Sequence, residues 1–154
     1  MSIEATKAYF GGFGMADRIL EFEVSSATVE LAAKALGCEP ARIGKTLSFN
    51  VKGEPVLIVF AGDARVENVK FKNHFGVKAK MLSPDEAVEL IGHAIGGVCP
   101  FGVKEGVKAY LDVSLQRFET VYPACGSGNS AIHLSIPELV RYSNSLGWVD
   151  VAKY

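Results

Sequence analysis

Two neighbouring stretches constrain this fold more than anything else in the chain. In Lys45-Thr46-Leu47-Ser48-Phe49-Asn50-Val51 the apolar residues Leu47, Phe49 and Val51 share one face, because side chains alternate along a strand. Val56 to Ala61 follows as the longest uninterrupted apolar run. Segments 45–52 and 55–61 meet at Gly53-Glu54, and two strand patterns joined by a glycine turn predict a β-hairpin. The apolar run is far short of the ~20 residues that span a bilayer, so no membrane-spanning segment is expected.

Strand and helix patterns interleave around this hairpin. Residues 2–10 predict a short helix leading into Gly11-Gly12, and 18–24 predict a strand. Val29, Ala32, Ala33 and Leu36 follow the i, i+3, i+4, i+7 spacing of a helix, with Gly37 placed to stop it. A helix is expected over 66–75 and a strand over 78–82. Ser83-Pro84-Asp85-Glu86 is a capping box with proline at the first helical position, opening a helix to about Ile91 before Gly92. After a Gly/Pro loop over 92–106, strands are expected over 107–112 and 119–124 with a helical turn between them. A turn follows at 125–129, then a strand over 130–136. A second capping box, Ser135-Ile136-Pro137-Glu138, opens a last helix through about Ser145. This order predicts an α+β fold, a mixed sheet with packed helices, rather than a doubly wound parallel sheet.

The 154 residues suit one domain over 1–154, and 49% hydrophobic with 21% charged residues excludes disorder. Sixteen Lys+Arg against seventeen Asp+Glu leave a net charge of −1. A protein that grips long nucleic acid by its phosphates carries a basic excess, so any nucleic-acid role must rest on a local patch or a small pocket. Cys38, Cys99 and Cys125 are odd in number and form no C-x-x-C, which speaks against a disulfide framework or a zinc site and for reduced thiols. No His/Cys/Asp/Glu cluster has metal-ligand spacing, and no cofactor motif, P-loop or G-x-S-x-G elbow occurs. The N-terminus lacks a basic-then-apolar signal pattern, and a cytoplasmic protein is expected.

Several places could carry chemistry. Lys45 has the parity of the apolar face of its strand, so its amine starts on the core side. It is either a strand-end lysine that snorkels to water or a fixed ammonium at the rim of an interior pocket. The segment Gly92-His93-Ala94-Ile95-Gly96-Gly97-Val98-Cys99-Pro100-Phe101-Gly102 has four glycines and a proline. Such a loop bends to expose N–H groups that can donate to a carbonyl oxygen or a phosphate. Its length and its apolar residues favour a pocket wall over an ordinary connection.

Cys125-Gly126-Ser127-Gly128-Asn129-Ser130-Ala131 matches G-x-G-x-x-A, but the strand pattern that follows excludes a dinucleotide site. It remains a small-residue turn at a sheet end. Cys99 and Cys125 read as small wall residues rather than nucleophiles, since no base is placed near either. His74 and His93 fall in a helix end and a loop, and His133 reads as an exposed or pocket-edge residue. Lys70, Lys72, Lys78 and Lys80 form the most basic stretch, either a solvated face or a guide for a phosphate backbone.

These residues fall in a telling order: a helix ending Ala35-Leu36-Gly37, then Gly44-Lys45-Thr46-Leu47, then Gly96-Gly97-Val98-Cys99-Pro100-Phe101-Gly102. Leu115-x-x-Phe118-Glu119-Thr120-Val121-Tyr122 and the Gly/Ser turn come after them. From about Ile3 to about Tyr142 the chain resembles the YbaK/ProX family, free-standing relatives of the editing domain inserted in bacterial prolyl-tRNA synthetase. The resemblance implies a mixed, mostly antiparallel sheet and an aminoacyl-tRNA deacylase acting in trans. Such an enzyme hydrolyses the ester between a wrong amino acid and the 3′ end of a tRNA, typically that for proline. It implies Lys45, Gly96 and Gly97 as catalytic positions. It also implies a substrate pocket at Thr28, Thr46, Val98, Cys99, Pro100, Phe101, Cys125, Gly126 and Ser127. At Thr28 some members carry an aromatic residue, and at 124–127 some carry Ser-Gly-Gly. The implied partners are the tRNA 3′ end and a prolyl-tRNA synthetase, with neither metal nor membrane. The alternative is a non-catalytic module that binds aminoacyl-tRNA or docks on a synthetase, and a weaker one is a hydrolase of another small ester or amide.

Overall fold

The computed structural model describes residues 2–154. The hairpin predicted from the sequence is its centre. Strand β2 (Ile43–Val51) pairs antiparallel with β3 (Glu54–Ala61), Lys45 opposite Phe60 and Val51 opposite Glu54. The turn residues are Lys52 and Gly53, one position earlier than expected. Both have positive φ (53° and 86°), the conformation that a two-residue hairpin turn requires.

Around the hairpin lies a six-stranded sheet. It also contains β5 (Lys108–Asp112), β6 (Thr120–Pro123), β8 (Leu134–Ser135) and β9 (Trp148–Val149), in the order β8-β6-β2-β3-β5-β9. Two short antiparallel pairs complete the strands: β1 (Ile19–Glu21) with β7 (Ser130–Ile132), and β4 (Arg65–Val66) with β10 (Ala152–Lys153). Pairing is mixed and mostly antiparallel, with parallel ladders for β2–β6, β3–β5 and β5–β9. The fold is α+β, as the element order predicts.

The helices are α1 (Ser2–Gly11), α2 (Val29–Leu36), α3 (Asn68–Phe75), α4 (Pro84–Glu86) and α5 (Ile136–Tyr142). Gly37, at φ 68°, ends α2 as expected. Ser83 and Ser135 form the predicted capping boxes. Beyond α4 the chain widens into a π turn over Ala87–Ile91, closed by the Gly92 N–H donating to the Ala87 carbonyl at 3.1 Å. None of the described helices is long and apolar enough to cross a membrane.

Three expected elements are shorter. The strand expected over 18–24 is only β1, because its partner β7 has three residues and the Phe22 N–H already turns to the Asn129 carbonyl. The strand expected over 78–82 is a single bridge, Met81 opposite Phe49, with Lys80 and Leu82 bonded to the free edge of β2. That edge is free because β6 reaches only Ile43 and Gly44. The last helix stops at Tyr142, and Asn144 has φ 51°. The main core gathers Phe49, Ile58, Phe60, Phe71, Phe101 and Leu111 with the inner faces of the helices.

Candidate functional site

A cavity of about 260 Å³ opens where α2, the first half of β2, the glycine loop and β6 meet. Its walls are mostly aliphatic: Ala27, Val29, Ala32, Ile43, Leu47, Met81, Ile95, Val98, Ala124 and Ala131. Lys45 is the cationic group in this lining, and Ser26, Thr28, Thr46, Ser48, Tyr122 and Ser130 add hydroxyls.

Lys45 also borders a second, more polar cavity of about 380 Å³, formed with Glu30, Pro40, Gly62, Asp63, Ala64 and Arg65. Its ammonium donates to the Ala64 carbonyl. Burial pushes its pKa below the usual lysine range, and Arg65 adds to this while Asp63 and Glu30 oppose it. The amine is therefore tied to a main-chain acceptor that lines the second cavity, while the residue as a whole borders both. Strand parity brings it to this wall, and the position of β2 between β3 and β6 fixes the wall itself.

The glycine loop lines the first cavity, with Lys45, through Ile95, Gly96 and Val98. Gly96, at φ 95°, is the third residue of a turn closed by the Gly97 N–H donating to the Ala94 carbonyl at 3.0 Å. That bond occupies the Gly97 donor, whereas the N–H groups of Gly96 and Val98 have no protein acceptor among the described residues. Gly97 sits behind the wall, and its carbonyl accepts from the Gly126 N–H at 3.0 Å. A Cβ there would lie 2.5 Å from Gly126 C and Ser127 N. The two small-residue segments singled out in the sequence are thus in direct backbone contact.

The remaining residues implied by the resemblance divide. Thr28 lines the cavity and also caps α2, its hydroxyl accepting from the Leu31 N–H at 3.2 Å. Thr46 lines it as well, with its Oγ1 shut off from solvent and unpartnered among the described residues. Cys99, Pro100, Phe101, Cys125, Gly126 and Ser127 lie outside the lining. Phe101 is fully buried, with its ring centroid 4.8 Å from that of Phe10. Burial raises the Cys99 thiol to about 12 and pushes Cys125 up as well, so both stay protonated at neutral pH and neither is a nucleophile. A loop has no side-chain period, so sequence cannot tell which of its residues face the cavity.

Other residues gave no sequence signal. Ser26 and Ala27 reach the cavity because the Ser26 N–H donates to the Gly128 carbonyl at 2.7 Å. His93 is fully buried beneath the loop, its Nε2 2.8 Å from the Phe101 carbonyl oxygen. That contact assigns the proton to Nε2 and leaves Nδ1 unpartnered. Of the basic stretch, Lys70 is tied to Asp150 and the Ala152 carbonyl, Lys72, Lys78 and Lys80 are exposed, and none of the four lines the cavity. No group of three or more His, Cys, Asp or Glu among the described residues is arranged to hold a metal.

Sheet order and cavity together define a class of fold already known from solved structures. A crystal structure described as a candidate trans-editing enzyme for prolyl-tRNA synthetase superposes with a TM-score of 0.88 at 27% identity, over 99% of this chain and 98% of that one. The hypothetical protein APE2540 gives 0.79 at 27% identity, over 93% and 99%. Residues 23–142 match the aminoacyl-tRNA editing domain, and the chain belongs to that family.

Among its relatives, YwhH of Bacillus subtilis (strain 168), described as uncharacterized, is 52% identical over 154 residues, covering 99% of this chain and 98% of YwhH. The proline–tRNA ligase of Citrifermentans bemidjiense (strain ATCC BAA-1014 / DSM 16622 / JCM 12645 / Bem) is 30% identical over 125 residues. That alignment takes in 80% of this chain but 22% of the ligase, so the chain spans about a fifth of that relative's length.

Proposed function

We propose that the whole chain acts as one free-standing deacylase, cleaving the ester of mischarged tRNA for proline in the cytoplasm, alone or beside a prolyl-tRNA synthetase. The observation that carries this reading is a single cavity lined by Lys45 together with Gly96 and Val98. Water attacks the ester carbonyl carbon, and the bond to the ribose oxygen breaks. The departing ribose oxygen takes one proton of the attacking water, the other passes to solvent, and the amino acid is released as its carboxylate. Between these events the carbonyl oxygen bears a negative charge. The free N–H groups of Gly96 and Val98 are of the kind that stabilises such a charge, and one well-placed donor is worth ~3–4 kcal/mol in studied hydrolases. The Lys45 ammonium supplies a fixed positive charge for the terminal phosphate or for the polarised ester.

The aminoacyl ester is already reactive, and the neighbouring ribose hydroxyl can assist. A site of one cation and main-chain donors is then sufficient, with no thiolate required. Alanine and valine walls suit a small side chain: alanine, cysteine, serine, threonine or a small non-protein analogue. Only the tRNA end need enter, which agrees with a net charge of −1.

Hydrolysis of tRNA for proline charged with each of these amino acids, followed by release of label, tests the proposal. Wild-type protein should hydrolyse at least one. Lys45→Ala should lose at least a hundredfold in rate while keeping its circular dichroism spectrum, and Lys45→Arg should recover part of the activity. Unchanged turnover in Lys45→Ala would overturn the mechanism. Protection of the ester by wild-type protein would favour the binding module instead.

A further inference from the structure

Beside the cavity, two aromatic rings lie face to face: Tyr122 packs against the small core of Ala32, Ala33 and Ile43, whereas His133 is exposed. Tyr122 in β6 and His133, just before β8, have ring centroids 4.4 Å apart and ring planes within 11°. The register of β6 against β8 sets this up. Thr120 faces Ser135 and Val121 faces Leu134, so the next pair along is Tyr122 and His133. Tyr122 lines the cavity, whereas His133 is exposed on the outermost strand position of the sheet. The stack therefore runs outward from the cavity wall to solvent. The Arg42 guanidinium also lies over the Tyr122 ring, 5.4 Å from its centroid, held there by the carbonyl and hydroxyl of Thr120. On the other flank, Arg18 donates to the His133 carbonyl at 2.8 Å and pairs with Glu138 at 2.7 Å.

From this arrangement we infer that the outer face of His133 is a stacking platform for an unpaired nucleobase of the single-stranded RNA end whose acylated ribose enters the cavity. Every base has a π face, and an exposed, oriented aromatic ring is what single-stranded nucleic acid recognition uses. Tyr122 and His133 form two layers of a stack that a base would extend by a third. The charged groups around the imidazole are Arg42, Arg18 and Glu138, and burial together with the two arginines keeps the ring neutral at pH 7. Glu138 is already matched by Arg18, so the flank offers a phosphate backbone the charge of Arg42, which has no ion-pair partner among the described residues. A short base-stacking contact of this kind adds grip at the site without the basic excess that the composition lacks.

The inference rests on the deacylase reading for the identity of the RNA, but its test separates the two. Binding of a fluorescent single-stranded RNA ending in CCA is compared with an oligonucleotide of the same backbone whose three terminal sites are abasic. Wild-type protein should prefer the first by on the order of tenfold, the scale of one base–aromatic stack. His133→Ala, at an exposed position that leaves the core intact, should abolish the preference, and His133→Trp should restore or increase it. In deacylation kinetics His133→Ala should raise KM for the mischarged tRNA about tenfold with kcat unchanged. Equal binding of the CCA and abasic oligonucleotides by wild type, or a preference that survives in His133→Ala, would overturn the platform. A base preference that depends on His133 in a protein that hydrolyses nothing would overturn the deacylase reading alone.

Discussion

Gly97 shows how one atom decides the shape of the site. Its carbonyl and the Gly126 N–H join the two loops, and an added Cβ would meet backbone atoms at 2.5 Å, which no side-chain rotation can relieve. Gly97→Ala should therefore force the loops apart, costing about 1–3 kcal/mol as other overpacked sites do, and should cut deacylation along with stability. Gly128→Ala is the control, since its Cβ would meet only Ala27 Cβ at an ordinary 3.5 Å. Urea unfolding and a deacylation time course check both. A Gly97→Ala protein as stable and active as wild type would mean that the loops are free to separate. The sequence made this loop visible through its glycines but gave the wrong reason for one of them. Exposed donors were expected from the 92–102 loop, whereas Gly97 is needed for close approach and Gly96 for its positive φ.

At the scale of elements, local chemistry was the legible part. The capping boxes at Ser83 and Ser135 and the stop at Gly37 are each written within four residues, and each forms as expected. Ser135→Ala removes the acceptor for the Glu138 N–H while leaving the backbone N–H of residue 135 to the Glu138 carboxylate. It should lower stability by about 1 kcal/mol, read as a shift in the urea midpoint, with the loss concentrated in α5. Hydrogen exchange confined to other segments would show that α5 is held by its packing alone. What could not be read was decided by distant partners. β9 and β10 are two residues each, too short for any alternation, and exist because β5 and β4 offer them an edge. The strand expected over 78–82 had the right composition but only a stretch of free β2 edge to bond to. The same logic governs the site. Lys45 was found because strand parity is local, whereas Ser26, Tyr122 and Ala131 join it only through long-range pairing.

Across the whole molecule, stability falls with acid in two separate windows. His93 is fully buried beneath the glycine loop, and burial holds its imidazole below the usual pKa of 6.5, so it stays neutral in the fold. The unfolded chain takes up that proton below about pH 6.5, so the stability present above that pH is lost as pH falls through it. Glu138 behaves as a depressed carboxylate: Arg18 and the Ser135 cap hold it at about 2 against an ordinary 4.5. Its contribution is complete above 4.5 and is lost between 4.5 and 2, where Arg117 acting on Asp63 and the Ser83 cap acting on Glu86 add to the slope.

Urea midpoints measured from pH 8 to pH 2.5 should therefore show a shallow fall starting near neutrality and a steeper one below pH 4.5. His93→Gln keeps an N–H for the Phe101 carbonyl and carries no titrating group, so it should reduce the first fall, to which the lowered His133 imidazole also contributes, while leaving the second. Glu138→Gln should reduce the second while leaving the first. Because His93 underlies the loop that carries Gly96 and Val98, the first window is also where the site should loosen before the sheet does, as local opening precedes global unfolding. Hydrogen exchange at pH 5.5 should then show protection lost over 92–102 while β2 and β3 remain protected. A midpoint that stays flat from pH 8 to 5.5 would mean that His93 binds its proton as readily in the fold as out of it.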